Sequence, residues 1–123
     1  VLQRVRRAQV RVEGRTVGEI GPGLLALLGV LRGDRAEEAS RLAQRVARWR
    51  CFRDETGRMN RSALDCGAQI LVVSQFTLAS DGRGGRRPSF DRAAPPELAE
   101  PLYEGFAASL EALGLAVGRG RFG

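Results

Sequence analysis

A chain of 123 residues with 43% hydrophobic and 28% charged residues has the size and composition of one globular domain, able to bury roughly two-thirds of its unfolded surface around a single core. No run approaches the roughly 18 apolar residues of a membrane span and no basic, apolar, small-residue leader opens the chain, so a cytoplasmic protein with no membrane partner is expected. The net charge of +6 comes from 20 basic residues, every one of them arginine, against 14 acids, a composition compatible with nucleic-acid binding and equally with a GC-rich genome or thermophilic ancestry.

In chain order, residues 2 to 12 alternate imperfectly between Val5, Ala8, Val10 and Val12 and polar positions, which predicts a strand with a bulge near Arg6-Arg7. Glu13-Gly14 reads as a hairpin turn into "TVGEI", and "LLALLGV", residues 24 to 30, as a buried strand. Asp34 with Glu37 suits a helix N-cap and its reciprocal partner, and Ala39, Leu42, Ala43, Val46 and Trp49 or Arg50 follow at helical spacing, placing a helix at 36 to 49. "CFRDETGRMN" predicts a short strand plus turn, and "AQILVVSQFTLAS" a long buried strand. After a glycine and arginine loop, Pro95 and Pro96 open a second helix that Gly114 ends, with Pro101 expected to kink or delay it. "LAVGRGRFG" starts a last strand, whose unpaired edge would be exposed.

Arg4, Arg6, Arg7 and Arg11 precede any acid, and Arg41, Arg45, Arg48, Arg50 and Arg53 run without one; Arg83, Arg86, Arg87 and Arg92 surround the loop. Glu97, Glu100, Glu104 and Glu111 share a later segment with no arginine. One basic side and one acidic side follow.

The chain contains no histidine and no lysine. That removes the Ser-His-Asp triad, the Cys-His pair, HExxH zinc chemistry, Schiff bases and the P-loop. Cys51 and Cys66 are too far apart for CxxC and read as reduced structural thiols. Ser74 lacks the glycines of a GxSxG elbow, and carboxylate pairs such as Asp54/Glu55 and Glu37/Glu38 read as solvated surface charge. Catalysis by positioning and main-chain donors remains: an oxyanion hole needs no titrating group, provided that the substrate is already activated. An aminoacyl ester of tRNA meets that condition, since it is labile and carries a neighbouring hydroxyl.

"LVVSQFTLAS", "RPSF" at 87 to 90, the opening "LQRVRRAQVRVEG", "GEIGPGLLALLGV", "GRMNRS" and the terminal "GRF" together resemble the D-aminoacyl-tRNA deacylase family across essentially the whole chain. The resemblance implies a compact α/β domain, two β-sheet layers with helices packed on one side. It implies a homodimeric hydrolase that removes D-amino acids, and often glycine, from the acceptor end of tRNA while sparing L-aminoacyl-tRNA, with no cofactor, metal or DNA. Ser74, Gln75, Phe76 and Thr77 line the pocket, with a main-chain N–H near Phe76 or Thr77 as oxyanion donor and the substrate's 2′-hydroxyl assisting. Arg4 matches an arginine that supports the site, and Phe122 falls near the pocket. Arg87, Pro88, Ser89 and Phe90 contact substrate on this view, or else form the structured start of a helix. Along an uninterrupted strand Ser74, Phe76 and Leu78 would face one way and Gln75 and Thr77 the other.

The family's chiral filter resembles a cis Gly-Pro dipeptide in a C-terminal hairpin, inserted into the partner's pocket. Here only Gly21-Pro22 occurs, in another context, and residue 1 is valine; the extreme N-terminus and that hairpin are therefore expected to be missing from this sequence. Two alternatives stand beside the hydrolase: an esterase with Thr77 as nucleophile, and a non-catalytic tRNA-binding module.

Overall fold

A computed structural model describes residues 1–122. The apolar runs form the centre of the sheet: Gly23–Leu28 (β4) pairs in parallel with Gln69–Ser74 (β7), Leu24 opposite Ile70 and Leu28 opposite Ser74. Leu2–Val5 (β1) flanks β4 antiparallel and Val117–Arg119 (β8) flanks β7 in parallel, giving the order β1-β4-β7-β8. Strands covered on both faces carry near-continuous apolar residues, and both faces are covered here. Leu24, Ala26, Leu28, Ile70 and Val72 pack in one cluster with Ala43 and Val46 of helix Ala36–Arg48 (α1) and Tyr103, Phe106 and Leu110 of helix Pro96–Ala112 (α3).

Leu71 is fully buried and, by the two-residue period of a strand, faces the opposite side. The hairpin of Ala8–Val12 (β2) and Arg15–Ile20 (β3) lies there. A Cβ at Gly18 would stand 2.1 Å from the Arg119 carbonyl oxygen and 3.2 Å from Leu71 Cδ1, so β3 crosses β8 with no side chain between the two backbones. The result is the expected pair of β layers with α1 and α3 on one side.

Several local expectations are corrected. The N-terminal segment is two strands, because the chain leaves the main sheet at Arg6-Arg7 and enters the second layer; the bulge lies further on, between Val10 and Arg11. The turn is as expected, with Glu13 and Gly14 both at positive φ, 52° and 78°, the signature of a type I′ hairpin. α1 starts at residue 36 as expected, but its cap shifts by one residue: the Arg35 N–H donates to Glu38 at 2.8 Å, while the Asp34 carboxylate accepts from Leu31 N–H at 2.8 Å. Pro101 neither delays nor interrupts α3; the bond it forgoes, to the carbonyl four residues earlier, is lost on the exposed face. The last strand, as expected, is an outer strand: β8 pairs with β7 on one side only, and β3 crosses its face.

Residues 51 to 67 hold more structure than expected. Phe52–Arg53 (β5) and Met59–Arg61 (β6) form a hairpin, followed by a one-turn helix, Ala63–Cys66 (α2). Ser62 caps α2 reciprocally: its Oγ accepts from Asp65 N–H at 3.1 Å and its own N–H donates to Asp65 at 2.8 Å. The Ser-x-x-Asp spacing was a readable capping box. Ser62→Ala should therefore cost about 1 kcal/mol, read as a shift of the urea midpoint at constant slope.

Candidate active site

β7 ends at Ser74, where its partner β4 also ends. Gln75 makes the last bond, N–H to the Leu28 carbonyl at 2.8 Å, and Phe76–Ala79 then wind into a 3₁₀ turn. The long strand expected to reach residue 80 is therefore shorter, and its alternation does not extend to Phe76, Thr77 and Leu78. Gly29 makes room for the turn: a Cβ there would lie 3.1 Å from the Leu78 Cβ.

At this end of the sheet lies a cavity of about 430 Å³ walled by Ser74, Phe76, Phe90, Ala99 and Phe122. Ser74 shares the face of Ile70 and Val72 and so looks toward α3. Phe76 and Phe90 meet edge to face with centroids 5.2 Å apart, although Phe76 is 60% exposed. Phe122 rests 5.7 Å from the Tyr103 ring. The Tyr103 hydroxyl donates to the Val72 carbonyl at 2.9 Å, with the Gly120 carbonyl at 3.3 Å. Burial, reinforced by Glu104, pushes its pKa up, so the phenol remains a donor and holds the C-terminal segment against β7.

Gln75 and Thr77 are not part of the wall. The Gln75 amide donates to Thr77 Oγ1 at 2.5 Å, and among the described residues no carboxylate or other base is bonded to that hydroxyl. The main-chain N–H groups of Phe76 and Thr77, the first of the 3₁₀ turn, have no acceptor among the described residues, as helix starts dictate. A burial-raised thiol at Cys51 is neutral at pH 7 and supplies no nucleophile. What this end of the sheet offers is an apolar, aromatic chamber and, in the turn that contributes Phe76 to its wall, two N–H donors with no acceptor among the described residues.

The other predicted residues separate. Asp81 and Ser89 exchange main-chain bonds at 2.7 and 2.9 Å, closing the arginine loop; Arg83, Arg86, Arg87 and Pro88 are exposed on it, and only Phe90 of "RPSF" reaches the cavity. This segment does not start a helix, since α3 begins at Pro96. Arg4 pairs with Leu24 and Ser74 with Leu28, an offset of four residues or about 13 Å along the sheet, so a single chain does not bring Arg4 to the cavity. Gly21-Pro22 lies at that same far end, where Gly21 N–H donates to Gln69 at 2.6 Å, and is no part of the chamber. Sequence reasoning missed the walls contributed by Val30, Ala94 and Ala99; small apolar residues carry no chemical signal, and only the Ala94 N–H bond to the Val30 carbonyl draws them together.

A family model described as D-Tyr-tRNA(Tyr) deacylase matches residues 1–123. The chain belongs to that family. It is 59% identical over 123 residues to a D-aminoacyl-tRNA deacylase of Roseiflexus castenholzii, covering all of this chain and 78% of that protein. It is 56% identical to one of Paracoccus denitrificans, covering 83% of it. Among solved structures, that of a c-Myc DNA unwinding element binding protein superposes with a TM-score of 0.89 at 36% identity, over 98% of this chain and 83% of that one. A probable eukaryotic D-amino acid tRNA deacylase shares the fold at a TM-score of 0.78 and 18% identity, over 91% of this chain and 66% of that one. No described helix is long and apolar enough to cross a membrane.

Proposed function

We propose that this deacylase-family chain hydrolyses the ester joining a D-amino acid to the terminal ribose of tRNA and spares the L-ester. The main-chain N–H groups of Phe76 and Thr77 serve as oxyanion donors. The observation that carries this reading is their lack of an acceptor among the described residues, in the turn whose Phe76 walls an apolar chamber, in a chain without histidine or lysine.

Water adds to the ester carbonyl carbon, and the carbonyl oxygen takes up negative charge against the two N–H groups. Collapse of the intermediate breaks the bond to the ribose 3′-oxygen. The adjacent 2′-hydroxyl takes the proton from water and delivers one to the departing oxygen, so no side chain changes its protonation state. Donors aimed at a developing oxyanion contribute about 3 kcal/mol each in a dry site. A chamber of 430 Å³ suits a small ligand, and the rings of Phe76, Phe90 and Phe122 suit a terminal adenine.

Ser74 and Gln75 complete the lining on this reading, Arg87 and Ser89 approach the nucleotide, and glycine, lacking a side chain to reject, is accepted as well. The outer edge of β1 is unpaired, which supports a homodimer; a second copy would bring Arg4 to the chamber. The setting is the cytoplasm, where the substrate is made.

Matched D- and L-tyrosyl-tRNA incubated with the full-length protein test the proposal. The D-ester should be released at least about a hundredfold faster, the discrimination of a site that hard-blocks one configuration. Equal rates would overturn the chiral reading. Tight binding of tRNA with release of neither ester would leave the non-catalytic alternative.

A further inference from the structure

A groove of about 780 Å³, wider than the chamber, lies at the C-terminal end of α1, lined by Arg45, Arg48, Trp49, Arg50, Cys51 and Met59. α1 starts beside the chamber, near Leu28 and Val30, and its 13 residues carry its other end roughly 20 Å away, so the groove and the chamber are separate sites.

Trp49 is 56% exposed and Met59 62%, an apolar platform that a globular domain ordinarily covers. Cations surround it. Arg41, Arg45 and Arg48 recur at helical spacing on one exposed face of α1, and among the described residues Arg119 alone of the twenty arginines makes an ion pair. Asp54 holds the turn between β5 and β6, and Asp65 caps α2 while its charge also acts on Arg50 and Arg61 without an ion pair. Arg50 makes only a 3.4 Å contact to Asn60.

An exposed aromatic plane bordered by unpaired guanidinium groups is the composition of a single-strand binding surface, in which bases stack and phosphates are gripped. A second copy of the chain is the competing occupant. A two-fold contact would set Arg45, Arg48 and Arg50 against their own copies, and like charges brought together oppose association.

We propose that this groove is a second RNA contact, with a base of the tRNA stacked on Trp49 and neighbouring phosphates held by Arg45, Arg48 and Arg50. It rests on the tRNA reading only for the identity of the RNA. Its consequence is that the substrate is held at two points about 20 Å apart, one at the ester and one on the body of the RNA.

Trp49 is the sole tryptophan, so its fluorescence reports the groove directly. With the full chain, deacylated tRNA and a short single-stranded RNA should quench that emission saturably, whereas inorganic polyphosphate, charged but without bases, should bind without quenching. Arg45→Glu with Arg48→Glu should weaken RNA binding at least about tenfold and lower the log–log salt slope by about 1.4, two single-strand phosphate contacts. Hydrolysis of D-tyrosyl-adenosine by this variant should match the parent, while KM for D-tyrosyl-tRNA rises. Arg45→Gln with Arg48→Gln, which removes charge without reversing it, gives the same slope test if the double glutamate variant fails to fold.

An RNA titration that leaves Trp49 emission unchanged, or folded variants with unaltered affinity, would overturn the proposal. Emission that shifts with protein concentration in the absence of RNA would make the groove a contact between copies and overturn it equally. A chain that fails to cleave either D-ester but retains RNA quenching and its salt slope would sink the hydrolase reading and leave this one standing.

Discussion

Removing the ribose 2′-hydroxyl from D-tyrosyl-tRNA should slow its deacylation at least about a hundredfold, the contribution of a positioned acid–base group, whereas Thr77→Ala should change kcat/KM by less than about tenfold. The asymmetry follows from which hydroxyl has a proton path. Thr77 Oγ1 already accepts from the Gln75 amide, and no base among the described residues is bonded to it, so deprotonating it at pH 7 would go uncompensated. The substrate's own hydroxyl lies one carbon from the ester and needs no protein base. Single-turnover release from 3′-linked D-tyrosyl-tRNA and its 2′-deoxy counterpart, with parent and variant, measures all four rates. A complete loss in Thr77→Ala, with an acyl group trapped on the parent by hydroxylamine, would instead identify Thr77 as a nucleophile. Loss of the amide donors cannot be reached by side-chain truncation, which is why the substrate, and not the protein, carries the sharper test.

Gly23→Ala should be among the most destabilising single changes in the chain, costing at least about 3 kcal/mol. The added Cβ would stand 1.8 Å from the Gln69 carbonyl oxygen and 2.7 Å from its carbon. Both belong to the backbone of the adjoining β7, so relief requires the parallel β4–β7 ladder to part. Domain stabilities of about 5–15 kcal/mol leave little margin for that, and the chamber, built at the other end of the same ladder, would loosen with it. Gly105→Ala is the matched control: it lies inside α3 with open space where its Cβ would be, and should stabilise by about 0.5–1 kcal/mol. Urea unfolding separates the two; equal midpoints would show that β4 and β7 are not packed as described.

Part of the chamber's lining was legible in the sequence, and for definite reasons. The absence of imidazole and amine side chains excludes histidine- and lysine-based catalysis whatever the fold. The "SQFT" and "RPSF" segments do converge, through Phe76 and Phe90, and Phe122 joins them. Arg87 and Pro88 stay on an exposed loop and Arg4 stays at the far end of the sheet, because adjacency along a motif does not fix which side chain turns inward. The helix of residues 63 to 66 was missed although its cap was written out, since one turn is too short to show a period.

Local patterning by itself determined the two long helices, the type I′ turn at Glu13-Gly14 and the apolar central strands, because hydrophobic period and special backbone conformations are properties of short windows. Only the tertiary structure decided where β7 stops. Its length is set by the length of its neighbour β4, whose Leu28 lies opposite Ser74 from far away in the sequence, so that Gln75 takes the last available carbonyl and the chain beyond has no ladder to join. From that ending come the 3₁₀ turn and its two unengaged N–H groups. The same holds for the second layer: a strand's own residues cannot report that another backbone crosses it at van der Waals distance, and Gly18 acquires its meaning only from the carbonyl of Arg119 lying against it.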